Sequence, residues 1–184
     1  MSVTDELLSN NGSYAASFAS ERLGGLPLKP AKHLAVLACM DARLDVHKVL
    51  GLQEGDAHVM RNAGGVVSDD VIRSLIVSQR MGGTTEIILI HHTDCGMLTF
   101  SDDAVKRQIQ EDTGIKPRFA LEAFPDLDED VRQSIARIQE SPFIPNKNVR
   151  GFVFDVSSGR LREVDQVVDL QPVGARARAG SGSS

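Results

Sequence analysis

The chain has 184 residues, 41% hydrophobic and 24% charged, with a formal net charge of −5. This is the scale of one ordinary globular domain, and mild acidity without a basic stripe excludes a general binder of nucleic-acid backbones. No apolar run reaches the roughly 20 residues of a bilayer span. The polar start Met1-Ser2-Val3-Thr4-Asp5-Glu6 lacks the features of a secretory signal, so a cytoplasmic location, with both cysteines reduced, is expected.

Residues 3–23 have helical texture, with Leu7, Leu8, Tyr14, Ala15, Phe18 and Leu23 as the apolar set, and Asn10-Asn11-Gly12 is expected to interrupt it. With the linker that follows, this makes residues 1–30 an N-terminal helical arm. His33 to Cys39 is a continuous apolar run, the pattern of a strand covered on both faces. Leu44 to Leu52 reads as a short helix ending at Gly51 or Gly55, and Ala57 to Arg61 as a second strand entering the turn Asn62-Ala63-Gly64-Gly65. Ser68 caps a helix whose apolar side is Val71, Leu75, Ile76 and Met81, stopped at Gly82-Gly83.

Thr85 to His91 is the third strand, and Ser101-Asp102-Asp103 opens a helix to about Gln110, closed at Gly114. Residues 115–126 form a loop, and Asp128 to Glu140 is a helix through Val131, Ile135 and Ile138. Arg150 to Val156 is the fourth strand, and Leu161 to Val164 returns as an edge strand. Strands alternating with helices predict an α/β fold. Its parallel sheet lies in an α/β domain expected at residues 31–165, followed by a tail at 166–184 expected to be disordered.

Cys39, His92 and Cys95 are the residues that point to chemistry. Two thiolates and an imidazole suit Zn²⁺, and three protein ligands leave a fourth position for water. Each piece follows an apparent buried strand, and neighbouring parallel strands bring their C-terminal ends within reach of one ion. A disulfide or redox pair is the rival reading for the thiols, disfavoured in a reducing compartment. His91 is the rival for His92. Adjacent strand residues face opposite sides, and the three-residue interval to Cys95 favours His92, leaving His91 as a packed or hydrogen-bonded residue. Asp41 and Arg43 lie just past the first strand. Near a metal, the carboxylate can accept the proton of a bound hydroxide or ligate the metal, while the guanidinium holds it by a two-pronged hydrogen bond.

The segments Cys39-Met40-Asp41-Ala42-Arg43, Arg61-Asn62-Ala63-Gly64 and His92-Thr93-Asp94-Cys95-Gly96, in that order, resemble the signatures of the β-class carbonic anhydrases. The likeness runs from about Lys32 to Val164 and is to a small subtype that also includes carbonyl sulfide hydrolases. It implies one Zn²⁺ per subunit on Cys39, His92 and Cys95, with Asp41 and Arg43 as a catalytic dyad. In a closed state Asp41 becomes the fourth ligand and Arg43 is released. It also implies a core of about four parallel strands with an antiparallel edge strand. The subunits would form a tight homodimer embraced by the N-terminal helices, with tetramers left open. The glutamine that helps hold substrate in plant-type members is replaced by Pro30, and their cleft aromatic falls at His58, so the cleft candidates are His58, Ala63 and Gly64.

The implied activity is reversible hydration of CO₂ to bicarbonate by zinc-bound hydroxide. Hydrolysis of carbonyl sulfide to H₂S and CO₂ at the same site is the alternative, with Ala63, Val66 and Leu98 as candidates for an apolar wall facing sulfur. A non-catalytic zinc domain is the third reading, against which the Asp41–Arg43 pair speaks. Dinucleotide binding is a poor fit, because Asn62-Ala63-Gly64-Gly65 lacks the spaced glycines that cradle a pyrophosphate.

Overall fold

The computed structural model of the protein describes residues 2–18 and 23–165. Its centre is a five-stranded sheet in the order β2-β1-β3-β4-β5. The strands are β1 (Leu34–Cys39), β2 (Ala57–Asn62), β3 (Glu86–His92), β4 (Asn148–Phe154) and β5 (Leu161–Glu163). The first four are mutually parallel, as the alternating pattern predicts, and β5 runs antiparallel to β4, as the family resemblance implies. All six residues of β1 are buried, which is why its sequence is an unbroken apolar run rather than an alternation.

The two faces of the sheet carry separate cores. Ala35, Leu37, Ile87 and Leu89 pack with Val71 and Leu75 of α3 (Asp69–Arg80) and with Val131, Ile135 and Ile138 of α5 (Leu127–Glu140). Val36, Ala38 and Ile90 point the other way, into a cluster with Leu44, Met97, Phe124 and Phe154. This odd–even division is the period-two geometry of a strand. Between β1 and β2 lies the short α2 (Val46–Leu50), whose N-cap Asp45 accepts from the backbone N–H of Lys48 and whose C-cap is Gly51. Ser68 caps α3 as expected, accepting from the N–H of Val71.

Three details differ from the sequence reading. Helix α1 (Val3–Phe18) runs without a break through Asn10-Asn11-Gly12. A glycine inside a helix costs about 1 kcal/mol, too little by itself to end one. Ser101 makes no side-chain cap for α4 (Asp102–Thr113). Its neighbour Asp102 instead turns its carboxylate to the following loop and accepts from the N–H groups of Leu121 (2.7 Å) and Ala123 (3.0 Å). Strand β3 reaches His92, one residue beyond the expected end, which sets His91 and His92 on opposite faces. The tail at 166–184 lies outside the described residues. Among those described, no helix is long and apolar enough to cross a membrane.

Candidate metal centre

The C-terminal ends of β1 and β3 lie side by side and deliver the three expected ligands to one point. The Sγ atoms of Cys39 and Cys95 and a ring nitrogen of His92 all lie within 4.8 Å of one another, and all three residues are buried. Both cysteines are free thiols, so the disulfide reading is not what the chain adopts.

Local structure fixes each ligand. His92 Nδ1 donates to the carbonyl of Thr93 at 2.8 Å, leaving Nε2 with an outward lone pair. That Nε2 is buried and has no hydrogen-bond partner. Thr93 is pinned to the end of β4, donating its N–H to Phe154 O (2.9 Å) and accepting from Val156 N at its hydroxyl (3.1 Å). Asp94 then takes a left-handed conformation (φ 55°), which turns the chain sharply enough for Cys95 to come back beside His92.

Cys39 is held from the other side. Met40 N–H donates to Asn62 O (2.8 Å), and the Arg61 guanidinium grips the carbonyls of Cys39 (2.9 and 3.0 Å) and Asp41 (2.6 Å). Gly65, at φ 74°, passes so close to β1 that a Cβ there would lie 2.8 Å from Cys39 N. Only glycine fits that approach.

The electrostatics favour a cation. Burial opposes ionisation of Cys39, yet the neighbouring His92 and the backbone N–H groups of Asp41 and Gly64 together draw its thiol below the ordinary range. Burial pushes Cys95 up to about 11, and the charge on Cys39 adds to the rise. The adjacent Cys39 sulfur raises His92 against its burial. Two buried thiols thus compete for one negative charge, and a divalent cation would let both ionise. A buried ring nitrogen without a partner beside two such thiols fits zinc.

Asp41 stands at the rim, its Oδ2 3.7 Å from His92 Nε2. Arg43 grips it three times: Nε to Oδ1 (2.9 Å), Nη2 to Oδ2 (2.8 Å) and backbone N–H to Oδ1 (2.9 Å). These bonds from Arg43 hold the Asp41 carboxyl far below the usual carboxylate range. A cavity of about 420 Å³ opens in front of these groups, walled by Met40, Ala63, Met97 and Phe100, with Thr99 at its edge.

Ala63 lines this cleft as expected, and Gly64 lies behind it, packed against Phe124 and Met97. Val66 and Leu98 do not line it. Val66 is buried in the cluster beneath, and Leu98 packs against the same cluster. His58 requires correction too. It pairs with Ala35, four positions before Cys39, which puts it about 13 Å down the strand from the ligand end. There it bonds Ser78 Oγ at 2.9 Å and lines a separate cavity with Arg73, Ser74 and Val77 of α3. His91 is fully buried, bonded through Nε2 to Asp130 at 2.7 Å and stacked at an angle on Phe124. The thioether wall (Met40, Met97), the Arg61 clamp and the role of Asp94 escaped the sequence reading. The only signal for them was their position one or two residues from a ligand or in the Arg-Asn turn.

Comparison with known proteins agrees with this geometry. The family model described as carbonic anhydrase matches residues 34–161. The β-carbonic anhydrase 1 of Mycobacterium tuberculosis is 60% identical, over 89% of this chain and 99% of that protein. A carbon disulfide hydrolase of Acidianus is 35% identical, over 82% of this chain and 85% of that one. The crystal structure of a carbonic anhydrase from Streptococcus mutans superposes with a TM-score of 0.80 at 43% identity, covering 90% of this chain and 99% of the other. With all three signature segments gathered at one buried Cys-His-Cys cluster, the chain belongs to the β-class carbonic anhydrases, a family of enzymes.

Proposed function

We propose that this enzyme hydrates CO₂ reversibly to bicarbonate and a proton, with one zinc ion held by Cys39, His92 and Cys95. The observation that carries the reading is the unpartnered, buried Nε2 of His92 between two buried thiols, with an ionised carboxylate 3.7 Å away. Zinc bound there supplies Lewis acidity, which makes water a nucleophile near neutral pH.

The chain's own residues do the rest. Asp41, ionised and acceptor-only, takes the hydrogen bond of the attacking oxygen and turns a lone pair toward the substrate carbon. Arg43 keeps Asp41 charged and aimed. Met97, Phe100, Ala63 and Met40 form an apolar wall that takes a linear, uncharged gas and leaves few polar groups to compete for it. The exposed apolar residues of α1, none buried within the chain, support an arm that packs on a second copy in a homodimer.

A second reading is hydrolysis of carbonyl sulfide to H₂S and CO₂ at the same groups. It is favoured by the two thioethers in the wall, which offer polarizable contacts to sulfur, and by relatives named carbon disulfide hydrolases. Zinc content and turnover of both gases, measured side by side on one preparation, decide the matter. The expected result is close to one zinc per chain and rapid CO₂ hydration, lost on chelation and restored by zinc. Zinc-loaded protein inert toward CO₂ would overturn the first reading, and faster turnover of carbonyl sulfide would install the second.

A further inference from the structure

The guanidinium of Arg43 does not serve Asp41 alone. Its Nη1 donates to Asp94 Oδ2 at 2.7 Å and its Nη2 to Asp94 O at 3.1 Å, while Nε and Nη2 hold Asp41. Asp94 does not line the cavity, and 77% of its side chain is exposed. Arg43 therefore ties the loop that follows Cys39 at the end of β1 to the turn that runs from His92, at the end of β3, to Cys95.

We propose that Asp94 is a positioning residue for this pair: it anchors Arg43 at the cleft rim, so that the guanidinium keeps its place and orientation whatever Asp41 is bonded to. The proposal deepens the CO₂-hydration reading and rests on it for its kinetic part. The chemistry is that of one cation shared by two carboxylates. Arg has five N–H donors in a rigid fork, enough to hold a carboxylate on each side. Sharing the charge weakens the grip on Asp41, and the two carboxylates repel one another. Asp41 is thereby left freer to serve the attacking oxygen, while Arg43 stays fixed by its other edge.

The plain rival is that residue 94 is aspartate only because its backbone is left-handed, a conformation that Asp, Asn and Gly tolerate best. That requirement explains the backbone but leaves unexplained a carboxylate aimed at Arg43 beside a carbonyl aimed at the same group. An exposed pair contributes little to stability, so the effect belongs in geometry rather than in folding.

The test separates these. The order of the Arg43 side chain is followed by ¹⁵N relaxation at Nε on metal-free protein, a readout independent of the reaction. Arg43 should stay ordered in Asp41→Asn, loosen in Asp94→Asn, and become mobile in the double variant. With zinc, Asp94→Asn should lower kcat about fivefold and move KM less than twofold, since the residue touches no substrate. Unchanged Arg43 order in Asp94→Asn and in the double variant overturns the proposal. A loss in Asp94→Gly with none in Asp94→Asn also overturns it, assigning the residue to the turn. Order lost with kcat intact removes its part in the reaction. If zinc-loaded protein does not hydrate CO₂, the relaxation arm still decides whether Asp94 anchors Arg43.

Discussion

The two ends of the sheet hold polar side chains in opposite conditions. At the N-terminal end His58 bonds Ser78, Ser78 bonds Thr84 at 2.8 Å, and the latter two are buried. At the C-terminal end His92 is buried just as deeply, yet its Nε2 faces two thiols and has no hydrogen-bond partner. A buried polar atom without a partner costs about 1–3 kcal/mol, so a fold keeps one where something else completes it. An unpartnered nitrogen is not enough by itself, since His91 Nδ1 is also buried without a partner; what sets His92 apart is the pair of thiols converging on its free nitrogen.

The comparison breaks most severely at the ligands. Cys39→Ser and His92→Ala should each bring zinc content, by elemental analysis, to a small fraction of one per chain, and CO₂ turnover down by about a thousandfold or more. Because His92 Nε2 is unsatisfied in the protein without metal, His92→Ala should cost less stability than its depth suggests. Chelator-treated wild type provides the reference for that measurement.

Asp41→Ala comes next. It leaves the three ligands in place, so zinc should stay bound while kcat/KM falls about a hundredfold in stopped-flow hydration. Retained turnover would remove Asp41 from the reaction and return the Asp41–Arg43 bonds to the status of a surface pair.

His58→Ala probes the satisfied end. It removes one hydrogen bond, while Ser78 and Thr84 keep each other. The expected loss is about 1 kcal/mol by denaturant unfolding, with turnover and its pH profile unchanged. An altered profile would bring His58 back to the cleft, through a second copy of the chain.

The pieces legible in the sequence were those with a short-range physical signature. β1 announced itself because burial on both faces demands unbroken apolar residues, and Cys39, His92 and Cys95 because thiolates and imidazole at strand ends have few other uses. α3 was marked by its Ser68 cap. What stayed hidden depends on long-range packing. Nothing near Met97 says that its thioether walls a cleft while the adjacent Leu98 packs below. Arg61 reads as an ordinary exposed strand residue, and only the pairing of β1 with β2 in register puts the Cys39 carbonyl under its guanidinium. His58 was misplaced because a family position fixes a residue on its strand, while the distance down that strand to the ligands follows only from pairing.

Asp102 gives the smallest effect and sharpens the comparison, because it is a satisfied group at the end of the sheet that carries the Cys-His-Cys cluster. The N–H groups of Ala123, Leu121 and Glu122 lower its pKa, Ala123 most and burial opposing. They tie down the loop that presents Phe124 to Gly64 and His91. A depressed folded-state pKa means stabilisation present above the unfolded value of about 3.9 and lost as pH falls through the folded one. Asp102→Asn should therefore lower Tm by about 2–4 °C at pH 7, and the gap to wild type should narrow as pH drops below about 4. Its kcat should hold, because Asp102 reaches neither the ligands nor the cavity. If kcat fell with Tm unchanged, nearness to the metal would matter more than whether a group is satisfied, and the distinction drawn between the two ends would fail.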